Sequence, residues 1–384
     1  MSDTRHHRPL IAPRQKSTES HRAVNIVPYA LVYIDEDSIA SLNARHGDSF
    51  RYADQAITLN RSLLALGLPR LTIATNVPLD IERYLAGFEE TLRPELSIIR
   101  PSLSLPAGTR FHGAHFKLDL LEQAGRQLQD NTLLLLLDAD MFVHWPLDAR
   151  LLDRCAAAGV GAFDISDQEF SAYGNARVIR DLEKVAGRPL ANPRWFGGEL
   201  LLASAGFIAE LIPCARECFH RYVHSLPQLN HHGDEMFMSA ALNLLSERGQ
   251  QIIDVGAYRM VGRHWSGNTH RDLRWFRQCS LLHLPGCKDL LERQAGRNTF
   301  SAARLWNVLA VMHSVNRLTW PFRQMVHARR RKKAAIERLE VLLVECNASR
   351  LTPLQDVLQS QGISVVYATT CDDALNASIS SRRK

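Results

Sequence analysis

Two carboxylates, one residue apart, follow a run of five leucines. In the segment TLLLLLDADMFVHWP, residues 133–137 lead directly into Asp138 and Asp140. A run this apolar predicts a central strand covered on both faces, whose carboxyl end lies at the mouth of a crevice. Two partly desolvated like charges are costly there unless a cation joins them. The spacing therefore predicts a site for a hard divalent ion, Mn²⁺ or Mg²⁺.

A second acidic pair, Asp35 and Asp37, occurs in the segment YIDED. An Asp-x-Asp triplet is expected about once by chance in a chain of this length, so the triplet alone is weak support for a metal site. The strand before Asp138 is the more apolar of the two, and we assign the metal to Asp138 and Asp140. The alternative for that pair is a helix cap or a pair of solvent-exposed acids.

The segments around the acidic pair alternate between strand and helix patterns. Short apolar runs predict strands in YALVYID, RLTIATN, LSIIRP and the leucine run, and helical spacing predicts helices in YADQAITLNRSLLALGL and AHFKLDLLEQAGRQL. Further on, GGELLLAS and SLLHLPGCK predict strands and DEMFMSAALNLLSERG predicts a helix. This alternation predicts an α/β fold, with a mostly parallel central sheet and helices on both faces. Residues 160–198 are rich in Gly, Asn, Pro and aromatic residues, which predicts a loop-rich wall of the site.

The composition indicates one large globular domain and a smaller addition: 384 residues, 46% hydrophobic and 22% charged. We expect a disordered tail over residues 1–22, a main domain over 23–297, a basic amphipathic helical linker over 298–338 and a small βαβ fragment over 339–384. Seven scattered cysteines without a C-x-x-C pair indicate reduced thiols rather than disulfides or a zinc site. With no secretory signal and no apolar run of about 20 residues, we expect a cytoplasmic protein.

The net charge of +6 owes much to the segment RQMVHARRRKK, which ends at Lys333. The simplest interpretation is a solvated helix face. Contact with an anionic membrane, at its inner face, is the alternative. Nucleic acid is not an expected partner, because no recognisable binding module accompanies the segment.

Several motifs over roughly residues 27–290 resemble, in order, those of GT-A-fold glycosyltransferases, most closely the retaining, glycogenin-like group. LLLLLDADMFV is similar to the strand of that group that leads into its metal-binding Asp-x-Asp motif. The other matching motifs are FKLDLL, WFGGELLLAS, HHGDEMFMSAALN and HLPGCK. The resemblance implies a transferase that moves a sugar from a nucleotide-diphosphate sugar, a UDP-sugar, to an unknown glycan, protein or lipid acceptor, with retention of configuration.

The resemblance also implies roles for individual residues. His283 corresponds to a third metal ligand beside Asp138 and Asp140. Asp234 and Glu235 occupy the acidic positions near the reacting sugar, where Glu235 replaces the usual Gln. The positions that correspond to donor contacts are Lys117, Gly198 and Lys288, with Asp35, Thr75 and Asn76 at strand ends beside the base and ribose. The turn that carries Lys288 is one residue shorter than the usual pattern.

Simple physical chemistry leaves alternatives for these residues. A neutral histidine is a good ligand for Mn²⁺, but a strand-end histidine is often a packed structural residue. Asp234 follows Gly233 at a predicted helix start, so it serves either as an N-cap or in contacts with the donor sugar. Lys117 and Lys288 suit phosphates, although isolated lysines are usually only solvated.

Two other classes of function compete with sugar transfer. A nucleotidyltransferase also uses a parallel sheet and metal-binding acids, but the segment DEDSIASLNARHGDS is acidic and lacks the Gly-rich, basic loop of that class. A non-catalytic regulatory protein is suggested by residues 339–384, which resemble the start of a response-regulator receiver domain. That fragment has Glu345 and Cys346 where the family has an acidic pair. It ends before the phospho-accepting strand, so we expect no phosphotransfer from it.

Overall fold

The computed structural model describes residues 24–34, 50–265, 271–297, 299–337, 340–344 and 364–368. The chain divides into two units. One consists of Met1–Trp265 with His270–Trp306, and the other of Ser266–Thr269 with Asn307–Lys384. The predicted tail over residues 1–22, Asp35 and Asp37 all lie outside the described residues.

Strands of the first unit occur in chain order as follows: β1 (Asn25–Val32), β2 (Thr72–Thr75), β3 (Glu95–Ile98), β4 (Thr132–Leu137), β5 (Met141–Val143), β6 (Val160–Asp164), β7 (Phe196–Ser204), β8 (Ile253–Asp254), β9 (Val261–Arg263) and β10 (Leu281–His283). The helices, in chain order, are α1 (Arg51–Ala65), α2 (Pro78–Leu85), α3 (Lys117–Gly125), α4 (Ala149–Ala158), α5 (Ser166–Tyr173), α6 (Asn175–Ala186), α7 (Ala205–Ser225), α8 (Asp234–Glu247), α9 (Leu273–Arg277), α10 (Lys288–Ala295) and α11 (Ala302–Glu337). The last of these helices continues into the second unit.

The central sheet has seven strands in the order β3-β2-β1-β4-β7-β6-β8. Strands β3, β2, β1 and β4 are parallel, whereas β7 runs antiparallel to both β4 and β6. Every residue of β4 is buried. The leucine run therefore forms a central strand covered on both faces, and the predicted α/β fold with a mostly parallel sheet is confirmed.

The segment 160–198 differs from the predicted loop-rich wall. It contains β6, two helices, α5 and α6, and the start of β7. Gly174, with φ of +87°, separates the two helices, and Gly187, with φ of +76°, ends the second. Helix α6 buries one face, which includes Val178, Leu182 and Val185. Gly174, Asn175 and Gly187, which suggested loops, are helix boundaries, and the apolar spacing inside α6 is what forms the helix.

A second, three-stranded sheet has the order β5-β10-β9. Strand β10 runs antiparallel to β5, with His283 opposite Met141, and parallel to β9. The Leu284 N–H donates to the Asp140 carbonyl at 2.9 Å. His283 therefore reaches the acidic pair through this small sheet, and not through the central one.

Helix α11 covers most of the predicted helical linker. In the second unit, β11 (Glu340–Val344) and β12 (Ser364–Ala368) form a parallel pair, with Glu340 opposite Ser364. The chain between these strands, which includes Glu345 and Cys346, lies outside the described residues, so the receiver-like fragment stays a prediction. Among the described helices, none combines the length and the apolarity that crossing a membrane requires.

Candidate active site

Asp138, Asp140 and His283 come together at the carboxyl end of β4. Each offers one ligand atom, and these atoms all lie within 4.8 Å of one another. His283 Nε2 is 3.1 Å from Asp140 Oδ1 and 3.8 Å from Asp138 Oδ2. Two carboxylates and one imidazole are donors that Mn²⁺ accepts. The donor set fits the predicted divalent ion.

Two lysines bind the other oxygen of each aspartate. Lys117 Nζ lies 2.6 Å from Asp138 Oδ1, and Lys288 Nζ lies 3.0 Å from Asp140 Oδ2. The oxygens that face His283, Asp138 Oδ2 and Asp140 Oδ1, are therefore not the ones that pair with Lys117 and Lys288. The predicted lysines both lie at the acidic pair, and the shortened turn before Lys288 does not keep it away.

Charge pairing controls protonation in this cluster. Burial alone would raise the pKa of Asp140, but His283 and Lys288 outweigh it and hold that pKa well below its usual range. Burial would likewise lower the pKa of His283, yet Asp140 and Glu199 raise it to about 10. A proton and a metal ion compete for the same imidazole nitrogen, so a bound cation would displace this proton.

Glu199, in the middle of β7, is a fully buried acid that the sequence analysis missed. Its Oε1 lies 3.3 Å from His283 Nδ1. Arg263, at the end of β9, donates to both oxygens, through Nε at 2.8 Å and Nη2 at 2.6 Å. Burial alone would raise the pKa of Glu199, but Arg263 and His283 keep it low. Glu199 therefore stays ionised and orients the histidine.

Asp234 is joined to Asp138 through Lys117. Lys117 Nζ donates to Asp234 Oδ2 and to the Gly198 carbonyl, both at 2.9 Å. Helix α8 begins at Asp234, Gly233 is its N-cap, and no side chain caps it. The N-cap interpretation of Asp234 is thus wrong, because its carboxylate faces Lys117. Burial raises the pKa of Asp234 to about 6, against the lowering effect of Lys117.

The Glu235 carboxylate accepts hydrogen bonds from a different set of groups. Its Oε1 accepts from Gly198 N at 3.1 Å and pairs with Arg263, while its Oε2 accepts from Trp195 Nε1 at 3.0 Å. Its side chain remains 25% exposed. The carboxylate is thereby held in one orientation with part of its surface open, as a group that contacts a substrate requires.

Gly198 lies where the backbone approaches both acids of α8. An ideal Cβ there would be 2.6 Å from Asp234 Oδ2 and 3.0 Å from Glu235 Cγ. No larger residue fits without moving one of the two carboxylates. The close approach of the backbone at this glycine therefore makes room for the side chains of α8.

The predicted nucleotide contacts lie at the end of β2, and their side chains bind backbone groups. Thr75 Oγ1 accepts from Val77 N at 3.2 Å. The Asn76 amide accepts from Ile34 N at 2.9 Å and donates to the Ile34 carbonyl at 2.8 Å. These contacts join the carboxyl ends of β1 and β2. Contact of Thr75, Asn76 or Asp35 with a nucleotide stays a prediction.

No family model matches this sequence, and no curated protein matches it. Among solved structures, the apo WbbM bifunctional glycosyltransferase aligns over 74% of this chain and 51% of its own, with 14% identity and a TM-score of 0.44. The galactosyltransferase LgtC, in complex with donor and acceptor sugar analogs, aligns over 74% and 96%, with 12% identity and a TM-score of 0.42. Mouse xyloside xylosyltransferase 1 aligns over 69% and 98%, with 11% identity and a TM-score of 0.39. These three TM-scores are all below 0.5.

Proposed function

We propose that the chain is a metal-dependent glycosyltransferase of the GT-A fold. It transfers a sugar from a nucleotide-diphosphate sugar, a UDP-sugar, to a glycan, protein or lipid acceptor. The observation that supports this most directly is the group of facing atoms Asp138 Oδ2, Asp140 Oδ1 and His283 Nε2, flanked by two lysines. The motif order in the sequence supports retention of configuration.

The positions of the lysines favour an anionic ligand. Lys288 is the first residue of α10, whereas α3, which begins with Lys117, continues directly from the 3-10 helix His112–Phe116. A helix N-terminus repels a cation and attracts phosphate, so an ammonium group is unfavourable there unless anions surround it. The aspartates fill that role in the protein alone. A diphosphate would bind the same two ammonium groups.

Asp138, Asp140 and His283 would hold Mn²⁺ or Mg²⁺, and the ion would supply charge neutralisation for the leaving diphosphate. The chain's own side chains bind the phosphates and the sugar of the donor. Lys288 attracts the phosphates, and Asp234 and Glu235 lie where they can bind sugar hydroxyls. Their negative charge would also stabilise the positive charge that develops at the anomeric carbon.

Helix α10, which begins with Lys288, is held against α1 by hydrogen bonds and an ion pair. Arg51 binds Glu292 at 2.8 Å, and Thr58 Oγ1 donates to the Leu291 carbonyl at 2.8 Å. Lys288 Nζ also lies 5.1 Å from the centre of the Tyr52 ring. These contacts hold the lysine at the acidic pair, and they support a fixed phosphate-binding role better than that of a solvated surface lysine.

The test is release of free nucleotide from a panel of UDP-, GDP- and ADP-sugars by the full chain, after chelation and again with added Mn²⁺ or Mg²⁺. We expect release from a UDP-sugar that chelation abolishes and the cation restores. Equal activity with and without a cation would contradict metal dependence, and no release from any donor would overturn the proposal. Proton NMR of the product's anomeric centre tests retention.

We also propose a cytoplasmic location, in which the basic part of α11 contacts the anionic inner face of a membrane. The support is the run of Lys and Arg residues before Lys333. Sedimentation with vesicles containing phosphatidylserine should pull down the protein at low salt and release it at high salt. Equal binding to neutral vesicles would contradict this.

A further inference from the structure

The first residues of α8 are held from the segment that leads into α3. Lys117, which begins α3, donates to the Asp234 carboxylate. Two residues before it, His115 lies buried in the 3-10 helix. Its Nε2 is 2.9 Å from the hydroxyl of Tyr222, on α7, and that hydroxyl accepts a hydrogen bond from the Gly233 N–H at 2.9 Å. One segment therefore reaches two adjacent residues, Gly233 and Asp234, by two separate routes.

The protons of this hydrogen-bonded chain each have one position. Nδ1 of His115 faces the carbonyl oxygens of Phe111 and His112, at 3.0 and 3.2 Å, and a carbonyl oxygen only accepts. Nδ1 therefore carries the ring proton. Burial lowers the pKa of His115 to about 4, so the ring is neutral near pH 7 and its Nε2 is an acceptor. Burial also raises the pKa of the Tyr222 hydroxyl, which keeps its proton and donates it to Nε2.

Gly233 requires an external contact of this kind. It is the N-cap of α8, with φ of +115° and ψ of 176°, and a glycine has no side chain with which to cap the helix. Because glycine has more backbone freedom than any other residue, Gly233 alone does not fix the direction in which the chain enters α8. The Tyr222 hydroxyl binds its N–H. One turn further along α8, Phe237 packs against the rings of Tyr222 and His115, with ring centres 5.6 and 5.9 Å apart. These contacts determine the position of the first turn of α8.

We propose that His115 and Tyr222 are positioning residues, which hold the backbone before Asp234 so that its carboxylate faces Lys117 and the donor sugar. This inference rests on the proposed function, which assigns Asp234 to the sugar of the donor. The two routes hold different parts of the chain, because Lys117 binds the carboxylate and Tyr222 binds the backbone one residue earlier. Without the second contact, rotation about the backbone of Gly233 would carry Asp234 away from Lys117. His115 and Tyr222 are both 0% exposed, so they act through α8 and not by contact with the donor.

The test compares the full wild-type chain with Tyr222→Phe, which removes only the hydroxyl group. Titration calorimetry with UDP in the presence of Mn²⁺ counts the intact nucleotide sites and gives their affinity. Donor release is then expressed per UDP-binding site, with the UDP-sugar that the wild type cleaves fastest. We expect a UDP affinity within about twofold of the wild type and a rate per site about ten- to a hundredfold lower, because a displacement of ~1 Å at a reacting group can cost about a hundredfold.

A second variant, His115→Leu, tests the other end of the hydrogen-bonded chain. It removes the acceptor of the Tyr222 hydroxyl, so it should also lower the rate per site. The double variant should be no slower than Tyr222→Phe alone, because both substitutions interrupt the same chain of hydrogen bonds. Tyr84→Phe is the matched control, since the Tyr84 hydroxyl, on α2, donates to Asp54 of α1 at 2.6 Å. Its rate per site should equal that of the wild type.

The outcomes separate a positioning role from a merely structural one. If Tyr222→Phe has fewer UDP-binding sites but a wild-type rate per site, the positioning role is overturned; if that variant does not fold, His115→Leu decides by the same ratio. Hydrogen exchange gives a readout without donor release, because the Gly233 amide should exchange faster in Tyr222→Phe than in the wild type. Equal exchange would overturn the role of the Tyr222 hydroxyl. Absence of donor release from the wild-type protein would overturn the proposed function instead.

Discussion

His283 Nδ1 lies 3.3 Å from Oε1 of Glu199, and its other nitrogen faces Asp140 Oδ1 at 3.1 Å. The buried carboxylate therefore decides which nitrogen carries a proton in the neutral imidazole. With Nδ1–H donated to Glu199, Nε2 presents its lone pair toward the aspartates. Carboxylates in this position commonly fix the orientation of metal-binding histidines and raise their basicity.

The first prediction concerns this contact. Glu199→Gln should weaken Mn²⁺ affinity by about 10- to 100-fold, because the amide orients the imidazole less strongly and carries no charge. Electron paramagnetic resonance of free Mn²⁺ measures the affinity directly. Glu122→Gln is the control, since Glu122 also pairs with an arginine, Arg216, but makes no contact with His283. An unchanged Mn²⁺ affinity in Glu199→Gln would remove Glu199 from the site.

The second prediction distinguishes the two acidic pairs of the sequence. Asp138→Asn and Asp140→Asn should each reduce donor release by at least about a hundredfold, because neutral amides cannot replace the charge that a hard cation requires. Asp35→Asn and Asp37→Asn should reduce it far less. Circular dichroism checks that each variant is folded. If Asp35→Asn were inactive and Asp138→Asn active, the metal would be assigned to the wrong pair.

The third prediction is metal rescue of His283→Ala. This variant should need a higher Mn²⁺ concentration for half-maximal activity, and excess Mn²⁺ should restore part of the activity, since both carboxylates remain. In the wild-type protein, activity should fall as the pH is lowered, because a protonated imidazole cannot coordinate a metal. A half-saturating Mn²⁺ concentration equal to that of the wild type would mean that His283 only packs in β10.

The fourth prediction concerns the stability of the metal-free protein. The pKa of His283 rises from 6.5 to about 10 on folding. A raised pKa contributes stability that is fully present below the unfolded pKa, about 6.5, and is lost as the pH rises through about 10. Between pH 8 and 10 the melting temperature of the chelated wild type should therefore fall more steeply than that of His283→Gln. Asp234 and Glu169, with pKa values of about 6 and 7, are largely ionised by pH 8 and do not add to this difference. Parallel curves would contradict the raised pKa.

The fifth prediction concerns the C-terminal segment. Removal of residues 339–384 should leave donor release unchanged, because the residues assigned to the site all precede residue 290. Acetyl phosphate should not label the chain, since Glu345 and Cys346 stand where a receiver domain has its acidic pair. If truncation instead abolished all soluble protein, the fragment would be a required part of the fold.

The sequence predicted the central strand and its acidic pair because both signals are local. Five consecutive leucines specify a strand buried on both faces, and the two acids follow directly. The assignment of Lys117, Lys288 and His283 to the site rested on the order of the motifs that resemble the family. The contacts of His283 and Lys288 with the aspartates depend on the pairing of β10 with β5, which no local pattern encodes.

Glu199 was missed because its partners are distant in sequence. Arg263 lies 64 residues away and His283 84 residues away, so no window of sequence brings them together. One signal was present: a charged residue inside the otherwise apolar strand GGELLLAS, at a position where burial demands a partner. Helices α5 and α6 were missed for another reason, because the residues that end a helix resemble the residues of a loop.

The acidic pair has positively charged partners before any ligand arrives. Lys117 and Lys288 each pair with one aspartate, and protonated His283 faces Asp140. In the proposed enzyme, a divalent ion that binds alone is repelled by the two lysines. A diphosphate that binds alone meets lysines already engaged with carboxylates. Bound together, the two ligands cancel each other's charge, so each must raise the affinity for the other by the same factor. Metal and donor are therefore positively cooperative ligands, and Mn²⁺ should bind more weakly in the absence of nucleotide than in its presence.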